Sequence, residues 1–321
     1  MTREGERRAA VLGGTLAVAL GCNEQPPGSS TGAAGSGGPP ATNGTAAVDD
    51  TGPGVMGSTT SSGAADETSG SSEDDGPPIV LDVGPKDLGN GGDPCGYSKT
   101  ILPVTIRDFL STHSDFESYW GELASSGLVM STLGADGKPV FNPTPPTPPR
   151  TSTPTQITSP ESFAQWYHDT PGINVHVNYG LLLEEVAPGD GVFAFERLRF
   201  FPIDDEGWNV PGGAHVEMFP DDLGAPRNFH FTTEIHAEFI YEPGQNFRFR
   251  GDDDLWVFID GELAIDLGGL HGALDGEVEL DTLGLVAGET YDIDIFHAER
   301  RHIGSQFTIE TSISCFLPPA G

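Results

Sequence analysis

An alternation of apolar and polar residues, repeated from Ile173 to Thr311, constrains the fold more than any other feature of this 321-residue sequence. Successive side chains of a β-strand point to opposite faces, so a period of two predicts half-buried strands. Short strands separated by Gly, Asp and Pro turns predict a mainly β fold, an antiparallel β-sandwich or barrel. The expected strands cover 102–109, 173–179, 193–195, 229–239, 247–250, 263–267, 278–280, 291–295 and 307–311.

One predicted strand departs from the alternation. Residues 255–259, Leu-Trp-Val-Phe-Ile, are all apolar. A strand with apolar side chains on both faces is typical of a position that protein covers on both sides.

Two short helices are expected at the edge or end of the sandwich. Residues 114–117 have a capping-box pattern, and apolar residues follow at helical spacing as far as Leu123. A second helix start is predicted at Ser159-Pro160-Glu161, since proline suits the first helical turn.

The N-terminus resembles a bacterial lipoprotein signal. Residues 1–21 combine arginines with an apolar run that is too short to span a bilayer but suits a signal peptide. Small residues precede Cys22, as in a lipobox, which implies cleavage and lipidation at that cysteine. Because Asn23 is not aspartate, an outer-membrane or cell-surface destination is favoured, with the domain facing outward. The alternative is an ordinary secreted protein.

Residues 22–94 form a linker of Gly, Ser, Thr, Pro, Ala and acidic residues with almost no large apolar side chains. Such a composition cannot bury enough surface to offset its chain entropy, so a disordered tether is expected. The folded domain is predicted over 95–321. The formal net charge of −33 argues against nucleic acid or an anionic membrane surface as a partner. Membrane contact is expected through the lipid anchor alone.

Cys95 and Cys315 fall at the two ends of the predicted folded domain. In an exported protein, two remaining cysteines are expected to form a disulfide. The alternative is a pair of free buried thiols.

Three consecutive carboxylates, Asp252, Asp253 and Asp254, precede the all-apolar strand. Adjacent like charges are unfavourable unless a positive charge lies among them. Ca²⁺ would supply that charge, because it binds carboxylate and carbonyl oxygens. The alternative is an acidic hairpin end whose charges face water, and the local sequence leaves both interpretations open.

Enzyme signatures are missing from the sequence. It has no His-Glu-x-x-His, Cys-x-x-Cys or Gly-x-Ser-x-Gly pattern, so a zinc enzyme or a serine hydrolase has little support. We therefore expect a protein that is not an enzyme.

Several motifs, taken together, resemble a known family. They are Ile106-Arg107-Asp108-Phe109, Phe200-Phe201-Pro202-Ile203-Asp204, Gly251-Asp252-Asp253-Asp254-Leu255-Trp256-Val257-Phe258-Ile259-Asp260-Gly261, Leu267-Gly268-Gly269-Leu270-His271 and Phe296-His297-Ala298-Glu299-Arg300. This set is similar to the PA14 superfamily, and more closely to its fibro-slime group of surface proteins.

The resemblance implies a PA14-like β-sandwich in which paired aspartates bind Ca²⁺, which in turn ligates sugar hydroxyls. By position, Asp252 and Asp253 would be the first ligands. Asp254, which stands where the family usually has glycine, would be a third. The glycine-rich loop 266–275 is the candidate second loop, with Asp266, His271 and Asp275 as ligands or sugar contacts. For His271, a hydrogen bond within the turn is an equally good interpretation.

The leading functional hypothesis is a cell-surface lipoprotein whose domain binds glycans or extracellular matrix with the help of Ca²⁺. The second hypothesis is a structural slime or matrix component that binds no sugar. The third, with the least support, is a glycan-active enzyme.

Overall fold

The computed structural model describes residues 99–117, 124–144, 156–212 and 217–317. These residues fall within one of the two units into which the chain divides, Gly70–Gly321. The predicted signal peptide (1–21), its lipidation residue Cys22, the linker (22–94) and Cys95 lie outside the described residues, so those expectations stay predictions. Within the described ranges, no helix is long and apolar enough to cross a membrane.

The described residues form thirteen strands and one α-helix, with single 3₁₀ turns at Gly207–Asn209 and Leu280–Leu283. This composition confirms the predicted mainly β fold. The strands are β1 (Lys99–Phe109), β2 (Asn174–Glu185), β3 (Phe193–Arg197), β4 (Phe219–Pro220), β5 (Pro226–Arg227), β6 (Phe231–Ile240), β7 (Asn246–Gly251), β8 (Asp254–Ile259), β9 (Glu262–Leu267), β10 (Leu274–Glu279), β11 (Thr290–Glu299), β12 (Phe307–Thr311) and β13 (Phe316–Leu317).

One large sheet contains most of the strands in the order β10-β7-β12-β3-β2-β1-β6-β11-β8-β9, and β13 pairs with β6. Every pairing is antiparallel. Strands at the two ends of this order, β9 and β10, also pack closely, because a Cβ at Gly276 would lie 2.5 Å from Ile265. The sheet therefore curls until its two ends meet.

The main hydrophobic core lies inside the curled sheet and receives side chains from nearly every strand. A second, smaller core lies outside β8 and β11 and involves residues from 128–141 and 157–167. β8 serves both cores: Leu255, Val257 and Ile259 belong to the first, and Trp256 and Phe258 belong to the second. The prediction that 255–259 is covered on both faces is confirmed.

The helix α1 (Pro160–Ala164) starts where the sequence predicted. Ser159 accepts a hydrogen bond from Ser162 N at 3.1 Å, and Ser162 Oγ accepts one from Ser159 N at 3.0 Å. This reciprocal cap satisfies two backbone donors of a very short helix. Fully buried Trp166 follows α1 and packs 6.3 Å from Trp256, so the helix brings the second core onto β8. The other predicted helix falls largely in 118–123, outside the described residues.

Candidate functional site

The acidic loop Asp252-Asp253-Asp254 joins β7 to β8, and all three residues are more than nine-tenths buried. Asp253 adopts a left-handed backbone conformation with φ of 59°, which is uncommon for a residue with a side chain. The interpretation of the loop as a solvated hairpin end is therefore wrong. The buried carboxylates need hydrogen bonds or positive charge within the protein or from a ligand.

Both carboxylate oxygens of Asp254 accept hydrogen bonds from other residues of the protein. Its Oδ1 accepts a hydrogen bond from Gly269 N at 2.6 Å. Its Oδ2 accepts one from Arg300 Nε at 2.6 Å, and Arg300 Nη2 lies 2.6 Å from the same oxygen. Both ionic side chains are fully buried. This arrangement does not fit Asp254 as the third metal ligand, because Gly269 and a guanidinium already take its oxygens.

Asp252 and Asp253 are held by the segment after β11, residues 300–306, which we call the 300–306 loop. Asp253 Oδ2 accepts hydrogen bonds from the backbone N–H groups of Arg300 at 2.6 Å and Arg301 at 3.0 Å. Asp252 Oδ1 accepts one from Gln306 N. Neither carboxylate faces a cationic side chain as directly as Asp254 does. The second loop that meets the aspartate pair is therefore 300–306.

Burial raises the pKa of Asp252 to about 7, and the neighbouring Asp253 charge adds to the effect. Burial also raises the pKa of Asp253 to about 7, although nearby Arg300 opposes the change. Removing a carboxylate from water disfavours its charged form. Near neutral pH the pair therefore tends either to hold protons or to attract a cation.

Glu299 is a third buried acid beside the pair, and the sequence did not identify it as a site residue. It is fully buried, and neither of its carboxyl oxygens has a hydrogen-bond partner. The side chains of Asp253 and Ser305 are near enough to affect its pKa without reaching hydrogen-bond geometry. Burial, followed by the charges of Asp253 and Asp252, raises the pKa of Glu299 well above its ordinary value. In the residues that follow Glu299, Arg300 pairs with Asp254, and the His302 ring lies 2.8 Å from the Glu117 carboxylate.

The three candidates in loop 266–275 do not converge on the aspartate pair. Asp266 accepts hydrogen bonds from Trp256 Nε1 at 3.0 Å and from Gly127 N at 2.7 Å. The ring nitrogens of buried His271 face the carbonyl oxygens of Leu267 and Gly272 at 2.9 and 3.0 Å. In this structure His271 therefore bonds within its own turn. Its backbone carbonyl does reach the site and accepts from Asp253 N at 3.2 Å.

Asp275 lies away from these contacts, on β10. Its carboxylate pairs with the side chains of Arg248, at 2.8 Å, and Arg250 on the neighbouring strand β7. These pairs are exposed at the surface. Such a position gives Asp275 a local partner but no contact with the aspartate pair.

Asp252 and Asp253 have the chemistry that Ca²⁺ requires, since they place two carboxylates and nearby backbone carbonyls on one loop. Within the described ranges, no group of three or more His, Cys, Asp or Glu side chains is arranged to hold a metal ion. A calcium ion would therefore need backbone or water oxygens in addition to the two aspartates. Asp252 and Asp253 would hold it, and it would supply the missing positive charge.

The end of β7 that leads into the site is packed so closely that it has no room for a side chain at position 251. A Cβ on Gly251 would lie 2.5 Å from the Phe249 ring and 2.8 Å from the Gln306 carbonyl oxygen. A Cβ on Gly304 would lie 3.2 Å from Asp252 Oδ2. Glycine at position 251 therefore allows β7 to meet the 300–306 loop directly.

Cys315, just before β13, is buried. Its predicted partner Cys95 lies outside the described residues, so the pairing stays a prediction.

The sequence is similar to several proteins of Dictyostelium discoideum. It is 40% identical to protein psiQ over 209 residues, covering 65% of this chain and 20% of psiQ. It is 37% identical to protein psiD over 219 residues, covering 67% of this chain and 41% of psiD. Protein psiR is 35% identical over 220 residues, covering 68% of this chain and 22% of psiR. The chain thus spans less than half the length of these relatives.

Two solved structures illustrate the structural similarities. A PA14 sugar-binding domain from an RTX adhesin is 20% identical, covering 27% of this chain and 48% of that one, with a TM-score of 0.21. An epithelial adhesin A domain from Candida glabrata, solved with β-lactose, is 12% identical, covering 69% and 82%, with a TM-score of 0.26. TM-scores of this size are too low to indicate a shared function.

A family model gives the more specific result. Residues 226–316 match the model of the PA14 domain. This range includes the acidic loop, β8, β11 and the 300–306 loop, so both loops of the candidate site lie within it. The similarity to the PA14 domain therefore includes both loops of the candidate site.

Proposed function

We propose that this domain is a non-enzymatic module that binds carbohydrate or extracellular matrix with the help of Ca²⁺. The observation that carries the proposal is the buried pair Asp252 and Asp253, each with a pKa raised to about 7 by burial. A bound cation would favour the charged form of both carboxylates and remove the cost of burying them.

The donor atoms favour a hard cation. The side chains of the pair offer carboxylate oxygens, and among the described residues no His or Cys side chain joins them in a group that could hold a metal ion. Oxygen-only sites suit Ca²⁺, Mg²⁺ or Mn²⁺, whereas Zn²⁺ favours nitrogen and sulfur. Ca²⁺ takes roughly 6–8 oxygens in flexible geometry, so two aspartates and some backbone carbonyls would leave positions for a further ligand.

Those remaining positions suit the hydroxyl groups of a sugar. Support for this ligand class comes from the PA14 match and from the resemblance to PA14 adhesins, in which paired aspartates hold the calcium that contacts sugar. Hydroxyl oxygens are neutral donors of the kind that Ca²⁺ accepts. We therefore place the glycan contact at the Asp252–Asp253 pair.

We further propose a surface setting for the module. Lipidation at Cys22 would anchor the protein to an outer membrane or cell surface, and residues 22–94 would act as a flexible tether. The domain would then face outward, in the manner of fibro-slime surface proteins, and touch the membrane only through its lipid. These features rest on the sequence alone.

Thermal unfolding of the full chain tests the calcium step. Ligand that binds only the folded state stabilises it by about 2.7 kcal/mol at 100 times Kd. We expect millimolar Ca²⁺ to raise the Tm relative to a chelator. Asp252→Asn and Asp253→Asn should abolish the shift. Asp275→Asn is the matched control, because it removes an acidic side chain outside the site, and it should keep the shift. An unchanged Tm in the wild type would remove the calcium claim.

A glycan and matrix binding screen, run with Ca²⁺ and with chelator, tests the ligand step. Binding that requires both Ca²⁺ and Asp252 is the expected result. A normal calcium shift without any glycan or matrix binding would instead favour a structural matrix component. Glycan hydrolysis that disappears on replacing one carboxylate, with the fold intact, would favour an enzyme.

A further inference from the structure

The buried ion pair between Asp254 and Arg300 connects several segments of the chain near the site. Besides Asp254, the guanidinium reaches two backbone carbonyls through Nη1, those of Asp115 and Gln156, each at 2.9 Å. It also lies 4.7 Å from the centre of the Trp166 ring, at cation–π distance. Arg300 therefore joins the acidic loop to the segment after β1 and to the segment that leads into α1.

The same arginine also holds Asp253, but through its backbone. The Arg300 side chain binds Asp254 while the Arg300 N–H donates to Asp253 Oδ2 at 2.6 Å. The side chain of Arg300 thus binds one aspartate, and its backbone N–H binds the adjacent one. Both contacts depend on the position of this one residue.

The left-handed backbone conformation of Asp253 depends on the contacts of its neighbours. A residue with a side chain at φ of 59° is held there by its surroundings, since the left-handed conformation is unfavourable without them. The flanking contacts are Asp254 with Arg300 on one side and Asp253 N with the His271 carbonyl on the other.

We propose that the Asp254–Arg300 ion pair positions the Asp253 carboxylate before any cation binds. Asp254 is then a positioning residue and not a ligand. The inference rests on the proposed function in one respect, because that function makes Asp253 a candidate metal ligand. It goes further by stating that the site is formed without its metal.

If the Asp254–Arg300 pair only stabilised the fold, removing any buried ion pair should have the same effect on the site. A second buried ion pair, away from the site, allows this comparison. Arg107 Nη1 donates to Glu234 Oε2 at 2.6 Å, and both side chains are almost completely buried. Glu234 also pairs with Lys138 and His236, away from the acidic loop. Glu234→Gln therefore removes a buried charge of similar kind without touching the candidate site.

The test compares Asp254→Asn with Glu234→Gln in the full chain without metal. Hydrogen exchange followed by mass spectrometry reads the peptides that contain the Arg300 and Arg301 amides. We expect exchange there to accelerate by about tenfold or more in Asp254→Asn, because local opening becomes easier. In Glu234→Gln those amides should keep wild-type protection. Arg300→Lys serves as a second variant if Asp254→Asn does not fold, because it keeps the charge but loses the planar fork.

Terbium binding, read by luminescence that the protein's tryptophans sensitise, gives the second measurement. Loss of an outer-shell partner typically weakens metal affinity by roughly 10- to 100-fold, and we expect that loss in Asp254→Asn but not in Glu234→Gln. Equal protection of the 300–301 amides in wild type and Asp254→Asn, or equal loss in both variants, would overturn the inference. If wild type binds no terbium or calcium, the proposed function fails, and the exchange measurement still decides the positioning role.

Discussion

The Nε2 atom of His297 lies 3.3 Å from the backbone carbonyl oxygen of Asp252. Burial lowers the pKa of His297 to about 3, so the ring is neutral at physiological pH. Because a carbonyl oxygen only accepts, Nε2 carries the proton and donates it to this bond. Nδ1 has no hydrogen-bond partner. The fully buried ring thus supports the backbone of the acidic loop from the core side.

Replacing His297 with phenylalanine keeps a ring in the core but leaves the Asp252 carbonyl without its donor. A buried acceptor that loses its partner costs about 1–3 kcal/mol. We expect His297→Phe to lower the free energy of unfolding by that amount in urea denaturation. His297→Gln, which can present an amide N–H near the former Nε2, should recover part of the loss. Equal stability of the phenylalanine variant and the wild type would contradict the assigned bond.

The stability of the metal-free protein should depend on pH through Asp252 and Asp253. Their pKa values are about 7 when folded, against an ordinary value of 3.8. Between these values the folded state binds more protons than the unfolded state, so stability falls as pH rises from about 4 to about 7. His297 acts in the opposite direction, because its lowered pKa removes stability as pH falls below about 6.5.

The double variant Asp252→Asn, Asp253→Asn isolates the carboxylate contribution. We expect wild type in chelator to lose more stability than this variant between pH 5 and pH 8, measured by urea denaturation. His297 is present in both proteins, so its contribution cancels. Identical pH profiles would show that the two carboxylates are not perturbed as described.

Adding a methyl group at Gly251 should destabilise the domain. The new Cβ would lie 2.5 Å from the fully buried Phe249 ring and 2.8 Å from the Gln306 backbone oxygen. Overpacking of this kind costs about 1–3 kcal/mol. Gly272→Ala is the control, because its Cβ would meet nothing within 4 Å. Thermal unfolding should show a clear loss for Gly251→Ala and little change for Gly272→Ala.

Glu299 should tolerate glutamine when no metal is present. Burial and the charges of Asp253 and Asp252 raise the pKa of Glu299 well above its ordinary value, which favours the neutral acid. Glutamine has nearly the same shape and no charge, so we expect Glu299→Gln to change the free energy of unfolding by less than about 1 kcal/mol, within the range of conservative changes. Glu299→Ala should cost more, because it leaves a cavity. A large stabilisation by glutamine would instead indicate a charged, strained carboxylate.

Local sequence was sufficient to predict most of the sheet. Alternation located the long strands, and the apolar run 255–259 identified a strand buried on both faces. The strands β4, β5 and β13 contain two residues each, which is too short for a period of two to appear. The pairing order could not be read either, because β1 lies between β2 and β6, which are distant along the chain.

The candidate site was predicted only in part. The sequence located the buried aspartate pair but assigned the second loop to 266–275, because that segment follows closely and is rich in glycine. In the folded chain the antiparallel pairing of β8 with β11 brings the 300–306 loop to the acidic loop instead. The role of Asp254 depends on Arg300, and the burial of Glu299 depends on several strands. Neither relationship leaves a local pattern in the sequence.

The end strand β10 carries exposed acidic side chains at Asp275, Glu277 and Glu279. An unpaired strand edge can recruit another chain by adding strands, and charged side chains on that edge oppose it. β9 packs against this edge where Ile265 meets Gly276, and two copies approaching through β10 would also bring like charges together. Many copies could therefore lie close together on one surface without joining into a continuous sheet. The acidic loop and the 300–306 loop of each copy would then remain separate binding sites.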